Sequence, residues 1–166
     1  MEDTTDISLP NELPAEGIFA DLTDEVRGRL SAAGRFVNEK PGTYLAVQGQ
    51  KHQSMAVILT GKVAITAHAH GDTVSLATLS KGQSVGEMSV LDPRPASANV
   101  RVVEEPATLW IIDGDDFDRF IETDKDAGLA VLRTLARELC QRLRHDSETM
   151  LRRADENRSK FLDMDY

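Results

Sequence analysis

Apolar and polar positions change rhythm three times along the chain. Thr23, Asp24 and Glu25 precede Val26, Leu30 and Ala33. A hydroxyl that can cap free N–H groups, two acids at the positive end of the dipole and an apolar stripe at helical spacing predict a helix that stops at Gly34. From Arg35 to Asp113 short apolar runs alternate with turn residues: Thr43–Val47 before Gly49, Met55–Leu59 before Gly61, and Val63, Ile65 and Ala67 before Gly71-Asp72. Val74, Leu76 and Leu79 lead to Gly82, and Val100–Val103 and Thr108–Ile112 follow. Strands at this spacing predict an all-β sandwich or barrel. A doubly wound α/β sheet needs helices of about ten residues or more between strands, and none fits there. Asp113 then opens a second helix, as its expected cap, with Phe117, Phe120 and Ile121 on one face. A long helix is predicted from Ala127 into the 150s. Leu129, Leu132, Ala136, Leu139, Leu143 and Met150 fall at alternating steps of three and four, broken by Asp146. This heptad seam predicts a homodimer through the C-terminal helix; the same spacing also suits a helix packed on its own domain.

The chain has 166 residues and a net charge of −9, with acidic excess on both flanks of a nearly neutral middle. Residues 1–34 carry 2 basic and 8 acidic groups, and residues 113–126 carry 2 and 7. That balance argues against general nucleic-acid or anionic-membrane binding. No apolar run reaches the length of a membrane span, and the acidic start lacks the pattern of a secretory signal, so a cytoplasmic location is expected. The single cysteine, Cys140, makes neither an internal disulfide nor a Cys-rich metal cage. Three segments are expected: a flexible arm at 1–15, a β-rich domain with flanking helices at 16–126, and a long helix with its tail at 127–166.

Several stretches together resemble one known family. They are Phe19-x-x-Leu22, Pro41-Gly42, Gln48-Gly49 and Val57-Ile58-Leu59-Thr60-Gly61-Lys62-Val63. Gly82-x-x-Val85-Gly86-Glu87-Met88-Ser89-Val90-Leu91-Asp92 follows, then Leu109-Trp110-Ile111-Ile112, Phe117 and Leu135-Ala136-Arg137-Glu138-Leu139. In order and spacing they resemble the cyclic nucleotide-binding domains, the family of the bacterial catabolite activators and of the regulatory subunits of cyclic-AMP-dependent kinase. The resemblance implies a mainly β fold: a β-roll, or double-stranded β-helix of jelly-roll form, with an N-terminal helix and a long C-terminal helix. It also implies a regulatory, non-enzymatic role with cyclic AMP or cyclic GMP as the expected ligand and no other cofactor.

A cyclic phosphate needs a guanidinium and backbone N–H donors, and a ribose hydroxyl needs a carboxylate acceptor. The resemblance gives the second task to Glu87, after Gly86, and makes Gly86, Glu87, Met88, Ser97 and Ala98 candidate pocket residues. The family's phosphate-binding Arg stands nine or ten residues after the Glu. Here the ninth is Ala96, followed by Ser97, Ala98, Asn99 and Val100. Arg94 stands two residues earlier, between Pro93 and Pro95. Two residues of extended chain span roughly 6–7 Å, about the length of an Arg side chain. Either Arg94 reaches inward as a relocated anchor, or it is a solvated loop residue and the pocket has lost its cation. On the long helix, alignment with the family puts Arg142 and Leu143 on the base side.

Other constellations carry less. His68 and His70 share one face of a strand. A metal site of the cupin type would add a Glu about four residues later, but Val74 stands there, so no metal is expected. Arg137, Arg142, Arg144, Arg152 and Arg153 are interleaved with acids, which reads as a salt-bridged helix surface. After the β region one helix pattern uses most of the remaining chain, and a DNA-reading helix-turn-helix has no visible place. The expectation is a standalone regulatory domain of the cyclic nucleotide-binding type, with cyclic-mononucleotide binding weakened or lost because Ala96 replaces the Arg, and no DNA binding by this chain alone. The alternatives are a cAMP or cGMP sensor anchored by Arg94, or a ligand-free protein-interaction or dimerisation module.

Overall fold

The computed structural model describes residues 9–162, with side chains to 156. A 3-10 turn (Gly17–Phe19) and helix α1 (Asp24–Ala33) precede eight strands. These are β1 (Arg35–Glu39), β2 (Tyr44–Ala46), β3 (Ser54–Ile58), β4 (Lys62–Ala69), β5 (Asp72–Leu79), β6 (Ser84–Val85), β7 (Asn99–Val103) and β8 (Ala107–Asp113). A short helix α2 (Glu87–Leu91) interrupts them between β6 and β7, and α3 (Gly114–Thr123) and α4 (Lys125–Leu162) close the described chain. The strands form two antiparallel four-stranded sheets, ordered β1-β8-β3-β6 and β2-β7-β4-β5. This is the expected β-roll with flanking helices.

The burial of the first sheet explains its sequence. Met55, Val57 and Leu59 with Trp110 and Ile112 face the helices, where they meet Phe19, Leu30, Phe117, Val131 and Leu135. Ile58, Ala107 and Leu109 face the second sheet, where they meet Val63, Leu79, Val100 and Val102. Both faces of β3 and β8 are covered, so these strands read as unbroken apolar runs, whereas a sheet with one solvated face alternates. Trp110 is the pivot of the helical layer. Its indole N–H donates to the Ser31 carbonyl at 3.3 Å, and its ring meets Phe19 edge-on with centroids 5.9 Å apart. The hairpin between β4 and β5 turns on His70 and Gly71, with φ of 53° and 91°, the paired left-handed conformation of a two-residue hairpin loop.

One sequence expectation about the helix ends holds, and others change in detail. The Thr23 hydroxyl does cap α1, accepting from Val26 N–H at 3.3 Å. Asp113 occupies the N-cap of α3 but makes no side-chain cap bond; its carboxylate turns instead to the Arg35 guanidinium at 2.7 Å. Packing begins ahead of residue 16: Leu13 is buried, and its N–H donates to Ser31 Oγ at 2.8 Å. The first eight residues of the expected arm lie outside the described residues. Finally, α4 starts at Lys125, with Asp124 Oδ1 accepting from Ala127 N–H at 3.1 Å. Its inward face is Ala127, Val131 and Leu135. Of the heptad seam, Leu132 is partly buried on the domain's own core and Leu139 is half-buried. Ala136 faces solvent, and Leu129, Leu143 and Met150 remain 57, 66 and 71% exposed.

Candidate functional site

β6 ends at Val85 and hands the chain to Gly86, whose φ of 81° turns it into α2. A Cβ at Gly86 would lie 2.3 Å from the Ser54 carbonyl oxygen and 3.1 Å from His52 Nε2, so both conformation and space demand glycine. This tight entry drives the first residue of α2 inward. Glu87, a carboxylate, is 2% exposed.

Burial of a charge requires partners. One comes from α4: Arg142 Nη1 donates to Glu87 Oε1. The same guanidinium donates from Nη2 to the Ser84 carbonyl at 2.7 Å and from Nε to Glu138 Oε1 at 3.2 Å. Arg142 thus joins β6, α2 and α4. Glu87 Oε2, by contrast, is buried with no hydrogen-bond partner among the described residues. Desolvation pushes the Glu87 carboxyl above its ordinary pKa; the Arg142 charge and the Ser84 hydroxyl oppose that rise, and Glu138 adds to it.

Around this carboxylate lies a cavity of about 170 Å³. Gly86, Glu87, Met88 and Ser89 form one wall and Ala96, Ser97 and Ala98 another. Ala46, Ile65, Val85 and Val100 make its apolar floor, and His52 and Arg142 complete it. The second wall is pinned by backbone bonds: Ala96 N–H donates to the Gln50 carbonyl at 2.8 Å, and Gly49 N–H donates to the Ala96 carbonyl at 2.7 Å. Buried Asn99 reinforces it by accepting from Gln48 N–H at 2.9 Å. Position 96 is therefore fixed at the cavity with its own amide already used.

Most of the residues singled out in the sequence meet here. Gly86, Glu87, Met88, Ala96, Ser97, Ala98 and Arg142 line one cavity. Arg94 does not. Its side chain is 77% exposed and its Nε donates to Asp92 Oδ2 at 2.8 Å. Leu143, one position beyond Arg142, is exposed and absent from the lining. Sequence reasoning missed His52. It stands in an irregular segment before β3, where no periodicity assigns it a face. Burial lowers its pKa below the usual imidazole value, a shift only partly opposed by a backbone hydrogen bond with Ser54. His68 and His70 are exposed on the hairpin, and no group of three or more metal-ligating side chains occurs among the described residues.

A strand-turn-helix cassette with an inward carboxylate, set in a two-sheet roll under a long helix, agrees with the comparison to known proteins. The family model for the cyclic nucleotide-binding domain matches residues 36–124, more than half of the chain. The chain belongs to the cyclic nucleotide-binding domain family. This family is regulatory rather than catalytic. Among curated relatives, human Rap guanine nucleotide exchange factor 3 is 30% identical over 104 residues, covering 62% of this chain. The Pycsar effector protein XpPycTIR of Xanthomonas perforans is 31% identical over 119 residues, covering 71%. The chain spans only 11% and 38% of the length of these two. Among solved structures, the Thermus thermophilus catabolite activator protein superposes with a TM-score of 0.69 at 27% identity, covering 80% of this chain and 61% of that one. No helix among the described residues is long and apolar enough to cross a membrane.

Proposed function

We propose that this chain is a regulatory ligand-sensing domain of the cyclic nucleotide-binding family in which affinity for cyclic AMP and cyclic GMP is weak or lost. The observation that carries this reading is the pairing of Ala96 at the cavity wall with Arg94 turned outward to Asp92. The wall that takes the phosphate in this family has no guanidinium here, while the carboxylate for the ribose hydroxyl is kept. Losing a charge-assisted hydrogen bond to an anion costs about 1.5–3 kcal/mol, roughly a tenfold to hundredfold loss of affinity. The outward ion pair of Arg94, and the prolines that restrict the backbone on both sides of it, tell against its acting as a relocated anchor. Calorimetry with cyclic AMP and cyclic GMP tests the reading. Ala96→Arg is expected to raise affinity by about tenfold or more, and Arg94→Ala to change nothing. Tight binding by the native chain that Arg94→Ala abolishes overturns it.

The second part of the proposal is assembly. The solvent-facing seam positions of α4 suit a homodimer through the long helix, which would carry a change at the cavity from one copy to the other.

A further inference from the structure

His52 stands where the two walls of the cassette cavity approach each other. On one side its Nε2 lies 3.1 Å from the place a Cβ would take on Gly86, at the entry to α2. On the other, the segment leading into it is bonded to the wall of Ala96: the Gln50 carbonyl accepts from Ala96 N–H at 2.8 Å, and Lys51 bridges Pro95 in antiparallel fashion. The half-buried imidazole also lines an adjoining cavity of about 180 Å³ between the sheets, and an outer cleft beside Asp113 and Asp115. His52 is the residue that all three spaces share.

The cations around it each come with acids of their own. Arg142 lines the cassette cavity with one Nη1–H to spare, yet Glu87 and Glu138 are both bonded to it, so an approaching anion meets more negative charge than positive there. In the adjoining cavity Arg35 is paired with Asp113 at 2.7 Å, and Glu39 lines the same space. Lys51 lines the outer cleft with Asp113 and Asp115, not the cassette cavity. His52 has no carboxylate partner among the described residues; its ring is held by a backbone hydrogen bond with Ser54. Burial favours its uncharged form, and Asp113 opposes that less strongly. At neutral pH the wall therefore carries a group that can become a cation but is not one.

We infer that His52 takes over from the missing guanidinium as a pH-gated anchor: charged in acid, it holds a cyclic monophosphate between Gly86 and Ala96, and neutral, it lets that ligand go. The inference rests on the weak-binding reading above and adds a regulation to it, because affinity becomes a function of pH. An imidazolium donates charge-assisted hydrogen bonds, and a bound anion in turn favours the charged ring. Affinity therefore rises as pH falls through the His52 range, which burial places below the ordinary imidazole value of about 6.5. The phosphodiester stays ionised throughout. Glu87 takes up its proton in the same direction, since burial raises its pKa, and its share has to be separated from that of His52.

Cyclic AMP and cyclic GMP are titrated by calorimetry at about pH 7.5 and about pH 5.5, on either side of the ordinary imidazole value. The proteins are the native full chain, His52→Gln, Glu87→Gln and Ala96→Arg, with circular dichroism to confirm that each is folded. The native chain is expected to bind about tenfold more tightly at the lower pH. Glu87→Gln should keep that gain and His52→Gln should lose it. A measurement on the native chain stands beside the variants: the His52 ring protons should titrate at higher pH with the cyclic nucleotide present than without it. If the gain survives in His52→Gln, or the ring titration does not move, the inference is overturned. If binding is weak at both pH values while Ala96→Arg binds, the inference falls and the weak-binding reading stands. If the native chain binds tightly at neutral pH and His52→Gln changes nothing, both fall. If neither the native chain nor Ala96→Arg binds at either pH, both fall as well.

Discussion

Arg142 and Glu87, 55 residues apart in sequence, form an ion pair that ties the long C-terminal helix to the cassette. The two ends of the pair differ in burial: the Glu87 side chain is 3% exposed and that of Arg142 34%. Glu87 therefore depends on Arg142 more than Arg142 depends on Glu87. Removing one partner of a fully buried pair costs about 3–5 kcal/mol. With Arg142 one-third exposed, Arg142→Ala is expected to cost less, on the order of 2 kcal/mol at neutral pH, since water reaches that side. Urea denaturation measures it. The double variant Arg142→Ala/Glu87→Gln is expected to recover much of the loss, because no buried charge is left behind. If the two losses simply add, the pair is not coupled.

The raised pKa of Glu87 makes stability depend on pH in a definite direction. Burial lifts the folded-state value above the unfolded one, so the native fold binds this proton more readily than the unfolded chain does. Stability from the protonated carboxyl is fully present below the ordinary Glu range and is lost as pH rises through the raised value. Relative to Glu87→Gln, which does not titrate, the native protein should be at its best in acid and lose ground toward neutrality. In Arg142→Ala the opposing positive charge is gone, and the decline should move to higher pH. Denaturation midpoints of the three proteins across this range check the sign; a native protein that gains on Glu87→Gln as pH rises refutes it.

Gly86 tests how the carboxylate is placed. Gly86→Ala puts a side chain on a left-handed backbone, a strain of about 1–3 kcal/mol, and drives its Cβ into the Ser54 carbonyl. The expected result is a destabilised protein in which α2 shifts and the proton uptake assigned to Glu87 approaches that of an ordinary exposed carboxylate. A melting temperature equal to that of the native chain would show that the cassette enters α2 in some other way.

The legibility of this molecule in its sequence follows burial. β4 and β5 declare themselves by alternation, but the turn expected at Gly71-Asp72 falls one residue earlier, at His70-Gly71, and Asp72 already belongs to β5. β3 and β8 were readable as strands only because turn residues bound their apolar runs; with both faces buried, Met55–Leu59 has no period to read. Glu87 and Ala96 were placed by family spacing, and the structure brings them to one cavity. Arg142 was read as facing a base. Its contact with Glu87 depends on how α4 crosses the roll, which helical periodicity along α4 alone does not encode. His52 left no signal, because an irregular segment has neither face nor period. The acid at Asp113 looked like a helix cap, and a neighbouring strand's Arg35 claimed it instead.

The seam on α4 separates internal packing from assembly. Val131 and Leu135 are fully buried in the domain, while Leu143 and Met150 stand mostly in water. If α4 pairs with its copy, the exposed positions carry the association and the buried ones carry the fold. Leu139→Glu with Leu143→Glu is expected to yield monomers by sedimentation or light scattering, with the circular dichroism and thermal midpoint of the roll preserved, since an apolar seam does not accept unpaired carboxylates. Leu135→Glu, which forces a charge into the core beside Trp110 and Phe117, is expected to unfold the protein at any concentration. A native chain already monomeric at tens of micromolar, where a coiled coil of modest affinity should associate, would mean that these leucines serve no homodimer and that the cavity acts within a single copy.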